Sequence, residues 1–344
     1  MRIGIANESR EAAKILSQII LTVPGYRISW TTQTGTETVQ KCVQDKPDMI
    51  LMSPTLSLMN GVSATKEIMQ DAPCPILLIT ASPDGDRARV FEAMGHGALD
   101  VISIPLTGDD PAARSSQDAL LKRINTIQKL KWNPPSNTRC DTDTDRSQAI
   151  PNLVITGSST GGPKALSILL SALPATFDAA IIMAQHVDEE FSQGMVDWLN
   201  SQTPLRVVLA SGGVRPKPGF AYLGASRQHL IFKKDMTIGF TDQPKALFFR
   251  PSVDLFFNSA AEHWSPPGIA VLLTGMGRDG AKGLLKLRHR GWHTIAQDEP
   301  TSVVYGMPKA ARELNAANEI LPIEEVAPAL TQRLQEIRTR RLPA

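Results

Sequence analysis

Residues 153–170 read LVITGSSTGGPKALSILL, and this stretch decides the fold of the half of the chain that contains it. Leu153 to Thr156 form a short apolar run that predicts a buried strand, and Pro163 to Leu170 predict the start of a helix. Glycines and small polar residues fill the turn between them. A strand, a tight turn and a helix form the repeating unit of a parallel α/β sheet.

The same alternation continues to the end of the chain. Further predicted strands are the segments AAIIMAQH, RVVLA and IAVLLTGMGRDG, with a hairpin-like region around Phe220 to Phe240. We therefore expect residues 151–344 to form one doubly wound α/β domain.

An earlier alternation of apolar runs and amphipathic helical stretches occupies residues 1–106. It predicts a separate parallel α/β domain. A helix-compatible stretch and the proline-rich segment WNPPSNTRCDTDTDRSQ follow, so we interpret residues 107–150 as a helix and flexible linker. The apolar runs of the first domain are Ile3 to Ala6, Met49 to Met52, Ile76 to Thr80 and Val101 to Ile104.

The composition excludes several classes of protein. A formal net charge of +2 over 344 residues is too small to indicate a nucleic-acid partner. Three widely spaced cysteines suit neither a disulfide framework nor a metal knuckle, and a reducing compartment fits best. No signal peptide and no apolar run of about 18 residues is present, so we expect a cytoplasmic protein without membrane insertion.

Three segments each end a predicted strand with a reactive residue type. They are GSSTGG, QH and TGMGRDG, and parallel sheets place their ligand sites at such strand ends. Ser159 lies in the glycine-rich turn near a helix N-terminus, whose free N–H groups can hold a developing oxyanion. His186 is the candidate base, and Asp279 could orient its imidazole. The three residues predict a Ser-His-Asp triad.

Spacing alone leaves other interpretations open. A glycine-rich turn after a strand is also typical of phosphate loops, but GSSTGG is not G-x-G-x-x-G and no Lys-Ser/Thr pair follows it. A histidine at a strand end is often structural, and an aspartate in a G-x-D-G turn often serves only the turn. Competing titratable residues are Asp254, Glu262, His263 and His293.

Five segments within residues 152–312 resemble the catalytic domain of the CheB family of receptor-glutamate methylesterases. The resemblance implies that Ser159, not Ser158, is the nucleophile, with His186 and Asp279 completing the triad. It also implies that Thr160, Gly161 and Met276 lie at the oxyanion and substrate site. The matching segments are LVITGSSTGGPKAL, IIMAQHV, RPSVDLFFNSAA, LLTGMGRDGAKGL and IAQDEPTSVVYGMPKAA.

That resemblance implies a serine hydrolase acting on γ-methyl glutamyl esters of the cytoplasmic helices of methyl-accepting chemoreceptors. The products are glutamate and methanol, receptor glutamines are a further substrate, and no metal or organic cofactor is required. One departure is the sequence HVDEE from His186, where the family often has Met-Pro after the histidine. The alternative is a catalytically silent, receptor-binding regulatory module.

Residues 1–106 resemble a response-regulator receiver in the segments KPDMILMSPTLSLMNGVSATKEI and GHGALDVISIP. The resemblance implies a flavodoxin-like parallel sheet. That family holds Mg²⁺ with two acidic residues and uses an aspartate as phosphoacceptor and a lysine as its partner. Here Asn7-Glu8 replace the acidic pair, Ser53 stands at the phosphoacceptor position and Ile104 at the lysine position. Thr80 remains where the switch hydroxyl belongs.

A serine cannot form an acyl phosphate, and Ile104 cannot neutralise a phosphoryl group. We therefore expect a pseudo-receiver that does not depend on Mg²⁺ and regulates by docking or by binding a partner such as a chemosensory histidine kinase or its array. Asp48 is an alternative acceptor, but it precedes its strand. The phrases FEAMGHGALDV and QHVD most resemble the CheB-like branch of surface-sensing, Wsp-type pathways.

Overall fold

The computed structural model describes residues 1–81, 83–108, 110–128, 152–245, 247 and 249–341. Two compact units divide the chain, Met1–Pro134 and Pro135–Ala344. Residues 129–150 of the predicted linker lie outside the described residues. Each unit has its own sheet, which confirms the prediction of two α/β domains.

The first unit contains a five-stranded parallel sheet in the order β2-β1-β3-β4-β5. Its strands are β1 (Arg2–Ala6), β2 (Arg27–Thr32), β3 (Met49–Met52), β4 (Ile76–Thr80) and β5 (Asp100–Ser103). Its helices are α1 (Arg10–Leu21), α2 (Gly35–Gln44), α3 (Gly61–Asp71), α4 (Pro83–Gly95) and α5 (Pro111–Gln128).

Continuous apolar runs place β3 and β4 in the middle of this sheet. Every residue of MILM and of ILLIT is buried, as expected for parallel strands that helices cover on both faces. Helices α1 and α3 begin at side-chain caps, since Ser9 accepts from the Ala12 N–H and Asn60 from the Ser63 N–H.

Helix α5 belongs to the first unit rather than to the linker, which corrects the predicted boundary at residue 106. Leu120 and Ile124, one turn apart, are fully buried. Arg123 forms an ion pair with Asp100 at the start of β5. The sequence predicted a helix in this stretch, but nothing in it distinguished packing on this sheet from packing elsewhere.

The second unit contains a seven-stranded parallel sheet in the order β14-β13-β12-β6-β7-β9-β8. The large-sheet strands are β6 (Asn152–Ser158), β7 (Ala179–Gln185), β8 (Arg206–Leu209), β9 (Phe220–Gly224), β12 (Ile269–Leu272), β13 (His293–Gln297) and β14 (Glu319–Leu321). The helices are α6 (Gly162–Ser171), α7 (Glu189–Gln202), α8 (Val253–His263), α9 (Ala281–His289), α10 (Met307–Glu313) and α11 (Ile323–Arg341).

A separate antiparallel hairpin joins β10 (His229–Phe232) to β11 (Ile238–Thr241). The predicted hairpin-like region began at Phe220, but residues Phe220–Gly224 form β9 of the large sheet instead. The reason is that Ala221 to Gly224 are buried, a pattern that suits an internal parallel strand.

The order of strands changes direction beside β6. The chain runs from β6 through β7 to β8 and β9 on one side, and then returns to add β12, β13 and β14 on the other. Open parallel sheets bind ligands outside the carboxyl ends of their strands at such a switch point. The crevice between β6 and β12 is therefore the expected site. None of the helices in the described part of the chain is long and apolar enough to cross a membrane.

Candidate active site

The register of the central strands brings the predicted nucleophile and base together. Ser158 at the end of β6 pairs with Gln185 at the end of β7, so Ser159 and His186 leave the sheet from adjacent strands. Adjacent strands lie about 4.8 Å apart. On the other side of β6, the Ser159 N–H donates to the Thr274 carbonyl after β12 at 3.1 Å. The loop that carries Asp279 therefore begins beside Ser159.

The turn around Ser159 is tight because two glycines allow a close approach. Gly161 has a φ of 77°, and a Cβ there would lie 2.6 Å from Cβ of Val303. A Cβ on Gly275 would lie 2.8 Å from Cβ of Ser159. Both glycines thus keep the serine at the start of α6, where it is only 8% exposed.

Three backbone N–H groups are the predicted oxyanion donors, two in this turn and one in the loop after β12. Thr160, Gly161 and Met276 have N–H groups that donate to no protein acceptor in the part of the chain that the structure describes. The Thr160 carbonyl is fixed by the Thr274 hydroxyl at 3.0 Å. Unpaired N–H groups at a helix N-terminus suit the stabilisation of an oxyanion.

His186 is held by a carboxylate on one side and by an aromatic ring on its face. Its Nε2 lies 3.0 Å from Oδ2 of Asp279. The Phe249 ring stacks on the imidazole with centroids 4.5 Å apart and planes 4° apart. Because a carboxylate only accepts, Nε2 carries the proton. Nδ1 is then the basic nitrogen, and it is buried without a hydrogen-bond partner among the described residues.

The Asp279 carboxylate lies against the N-terminus of α8. Burial raises the pKa of this carboxyl group. The hydrogen bond from His186 and the backbone N–H groups of the helix lower it by more, so the net pKa is below the ordinary value. Asp279 is therefore ionised at neutral pH. Its other donors are Ser252 Oγ at 3.0 Å, Val253 N at 2.7 Å, Asp254 N at 2.9 Å and Gly280 N at 3.1 Å.

Gln185 joins the two reactive segments, and no role was predicted for it from the sequence. Its Nε2 donates to the carbonyls of Ser159 at 2.9 Å and of His186 at 3.0 Å. Its Oε1 accepts from the Ser158 hydroxyl at 2.6 Å. The signal available was a glutamine that closes the apolar run AAIIMAQ, since a buried amide requires partners.

The helix N-terminus and Phe249 were also missed as site residues. The segment RPSVDLFFNSAA contributed to the resemblance, but no residue of it received a role. Ser252 is the N-cap of α8 and could have been identified from the cap pattern. Nothing in the sequence indicates that Phe249 stacks on His186.

The side chains of the other titratable residues considered for the site bond to groups outside the triad. Asp254 accepts from the Gly283 N–H at 2.7 Å, and burial raises its pKa. Glu262 pairs with Lys286 at 2.6 Å, and His293 lies 2.7 Å from Glu319. His263 lies in the last turn of α8, at the end opposite Asp279.

In the first unit, the predicted phosphoacceptor position lies in a hydrogen-bonded cluster of neutral and acidic groups. Ser53 is 6% exposed, and its hydroxyl lies 3.1 Å from that of Thr55. The Thr55 hydroxyl in turn donates to Glu8 at 3.1 Å. Asn7 accepts from the Ser9 N–H at 2.9 Å. The cluster lies at the carboxyl ends of β1 and β3.

The switch position is also occupied by an internal bond. Thr80 donates its hydroxyl to Oδ2 of Asp86 at 2.7 Å, and Ile104 N donates to the Thr80 carbonyl at 2.8 Å. Asp48, the alternative acceptor, accepts from the Arg2 N–H at 2.6 Å at the opposite, amino end of the sheet. Asp86 was not among the predicted residues.

Comparisons with known proteins cover both units. A family model described as CheB methylesterase matches residues 154–330, and one described as response regulator receiver domain matches residues 3–114. A protein of Mesorhizobium japonicum named protein-glutamate methylesterase/protein-glutamine glutaminase is 44% identical over 327 residues, which cover 95% of this chain and 96% of the relative.

A Burkholderia lata protein named protein-glutamate methylesterase/protein-glutamine glutaminase 1 is 46% identical over 328 residues, covering 95% of this chain and 97% of the relative. Among solved structures, the Thermotoga maritima CheB methylesterase catalytic domain is 36% identical with a TM-score of 0.51. It covers 53% of this chain and 98% of that chain.

Proposed function

Because the chain belongs to the CheB methylesterase family, we propose that it is a protein-glutamate methylesterase that removes γ-methyl ester groups from chemoreceptors through Ser159, His186 and Asp279. Its relatives are also named as protein-glutamine glutaminases, and deamidation of receptor glutamines follows from the same chemistry. Both reactions are acyl transfers from a glutamyl side chain to water.

The first half of the reaction forms an acyl-enzyme. The Ser159 hydroxyl attacks the ester carbonyl while its proton passes to Nδ1 of His186. Backbone N–H groups of Thr160 and Met276 stabilise the oxyanion, and the Asp279 carboxylate stabilises the imidazolium. The C–O bond to the methoxy group then breaks, and methanol leaves with the proton from His186.

The second half restores the enzyme. A water molecule gives a proton to Nδ1 of His186 and attacks the acyl carbon, and the bond to Ser159 Oγ breaks as that oxygen takes the proton back. The products are a receptor glutamate and free enzyme. The reaction as proposed needs no metal or organic cofactor, because each proton transfer uses a side chain of the site.

The observation that supports this assignment best is the pair of His186 and Asp279. The carboxylate engages Nε2 at 3.0 Å, and Nδ1 is left to accept a proton. The register of β6 and β7 supports the same assignment, because Ser158 pairs with Gln185 and the next residues are Ser159 and His186.

We infer that the first unit is a pseudo-receiver. Ser53 offers no carboxylate, Glu8 is engaged by Thr55, and the Thr80 hydroxyl is bonded to Asp86. A regulatory role by docking or partner binding, for example with a chemosensory histidine kinase of a surface-sensing array, fits these features. Incubation with acetyl phosphate and Mg²⁺ should give no stoichiometric labelling, and labelling at Ser53 or Asp48 would refute this inference.

The substrate surface that we propose is the set of methylated helices of a chemoreceptor in the cytoplasm. The near-neutral charge of the chain, 36 basic against 34 acidic residues, gives no reason to expect a nucleic-acid partner. The reaction requires only that a glutamyl ester reach the crevice between β6 and β12.

Methanol release from a methylated receptor cytoplasmic fragment tests the proposed function. The full chain should release methanol, Ser159→Ala should release none, and Ser171→Ala, a serine of α6 that bonds the Ile168 carbonyl, should match the wild type. If the wild type releases none but binds the fragment, the alternative of a silent receptor-binding module replaces the esterase.

A further inference from the structure

A second histidine of this unit lies close to the triad but contacts no triad side chain. His229 on β10 is fully buried, with 0% exposure. Its Nδ1 accepts a hydrogen bond from the Ser252 N–H at 3.2 Å, and its Nε2 lies 3.3 Å from the Pro244 carbonyl. The mechanism above does not use this residue.

The two contacts fix its protonation. A backbone N–H only donates and a carbonyl only accepts, so Nδ1 is unprotonated and Nε2 carries the hydrogen. His229 is therefore a neutral imidazole in one tautomer. It connects β10 to the segment at Pro244 and to the N-terminus of α8.

That N-terminus is what holds the Asp279 carboxylate. The Ser252 hydroxyl donates to Oδ1 of Asp279 at 3.0 Å, and the Val253 N–H donates to Oδ2 at 2.7 Å, the oxygen that faces His186. A shift of Ser252 would move both donors. The position of the carboxylate against the imidazole thus depends on the anchor of Ser252.

We propose that His229 is a positioning residue for the esterase reaction, which holds Ser252 and thereby orients the Asp279 carboxylate against His186. The inference rests on the proposed function. Misplacement of a catalytic group by about 1 Å can cost on the order of 10²-fold in rate. We therefore expect loss of this anchor to lower kcat by roughly 10- to 100-fold, with little change in KM.

Protonation of His229 breaks the same anchor, since a proton on Nδ1 would face the Ser252 N–H. Burial lowers the pKa of His229, with Arg250 lowering it further, while the Pro244 carbonyl, Asp279 and Asp242 raise it. The net pKa lies below the ordinary value of 6.5, so the anchor is intact at neutral pH and is lost only on acidification.

Matched variants of the full chain test the inference. His229→Asn can keep an acceptor near the position of Nδ1 and should retain kcat within about threefold, whereas His229→Leu removes it and should lose roughly 10- to 100-fold. His293→Leu, which removes another histidine of the same unit, should behave as wild type. Circular dichroism melts identify any variant that fails to fold.

A double variant separates positioning from general stability. If His229 acts through Asp279, then His229→Leu should lower kcat by less than about threefold in an Asp279→Asn background. A full 10- to 100-fold loss in that background would overturn the proposal. So would equal losses in His229→Asn and His229→Leu. In a plot of log kcat against pH, the decline below the pKa of His229 should be steeper in the wild type than in His229→Asn, because asparagine has no imidazole to protonate.

A readout without turnover keeps this inference separate from the proposed function. In ¹⁵N-imidazole NMR spectra of the resting full chain, His229 should show the Nε2-protonated tautomer, and His229→Leu should shift the His186 signals while His293→Leu should not. Absence of methanol release by the wild type would refute the proposed function alone. Unshifted His186 signals in His229→Leu would refute the positioning role alone.

Discussion

Replacement of Gln185 by leucine should weaken the second unit and its catalysis together. The leucine leaves the Ser158 hydroxyl and the carbonyls of Ser159 and His186 without the partners that now lie at 2.6, 2.9 and 3.0 Å. The Ser159 carbonyl also accepts from the Gly162 N–H at 2.7 Å, so two buried groups are left unsatisfied, at about 1–3 kcal/mol each or about 2–6 kcal/mol together. That corresponds to a decrease in Tm of roughly 4–24 °C for a domain of this size.

Calorimetry of the full chain measures this change, and methanol release measures the accompanying loss of kcat, which we expect to be at least about tenfold. The control is Gln193→Leu, an exposed glutamine of α7 that contacts Asp197, which should change stability by less than about 0.5 kcal/mol. A Tm of the Gln185→Leu variant within about 2 °C of wild type would refute the account of this amide.

Three further outcomes follow from the site. Asp279→Asn should lower kcat roughly 10³–10⁴-fold in steady-state methanol release, and Asp254→Asn should retain it within about tenfold. Gly161→Ala should lose about 2–5 kcal/mol in urea unfolding because its φ of 77° is strained and its Cβ would clash with Val303, whereas Gly213→Ala, at a φ of 83° with open space, should lose only about 1–2 kcal/mol. Since the pKa of Asp279 is lowered from 3.8, its contribution to stability should be complete above that pH and lost as the pH falls through the folded value, and acid titration of Asp279→Asn should lack this loss.

The sequence was sufficient for the fold and for the family, while the roles of Ser159, His186 and Asp279 stay predictions. Continuous apolar runs such as Ala179–Gln185 predicted buried parallel strands, and the structure has them. Residues at strand ends could be selected as candidate site residues because parallel sheets bind ligands at the carboxyl ends of their strands. Family membership, predicted from five short segments, is confirmed by the family model and the relatives.

Other features depend on contacts between distant segments and could not be predicted from the sequence. Phe249 stacks on His186, and the N-terminus of α8 meets Asp279, because the connections after β11 and β12 bring these segments to the same crevice. No local sequence pattern indicates such contacts between distant segments. Gln185 is similar, since its three partners are defined only once β6 and β7 pair in register.

The position of β6 in the sheet has a consequence during biosynthesis. This strand leads into the turn of Ser159, the proposed nucleophile, yet one of its two neighbours, β12, begins at Ile269, more than a hundred residues later. Pairing across such separations is slow, since the loop must close before any contact forms. In a growing chain, Ser159 therefore lacks the crevice between β6 and β12 until about two thirds of the unit has been made. The proposed ester hydrolysis therefore cannot begin before β12 has joined the sheet.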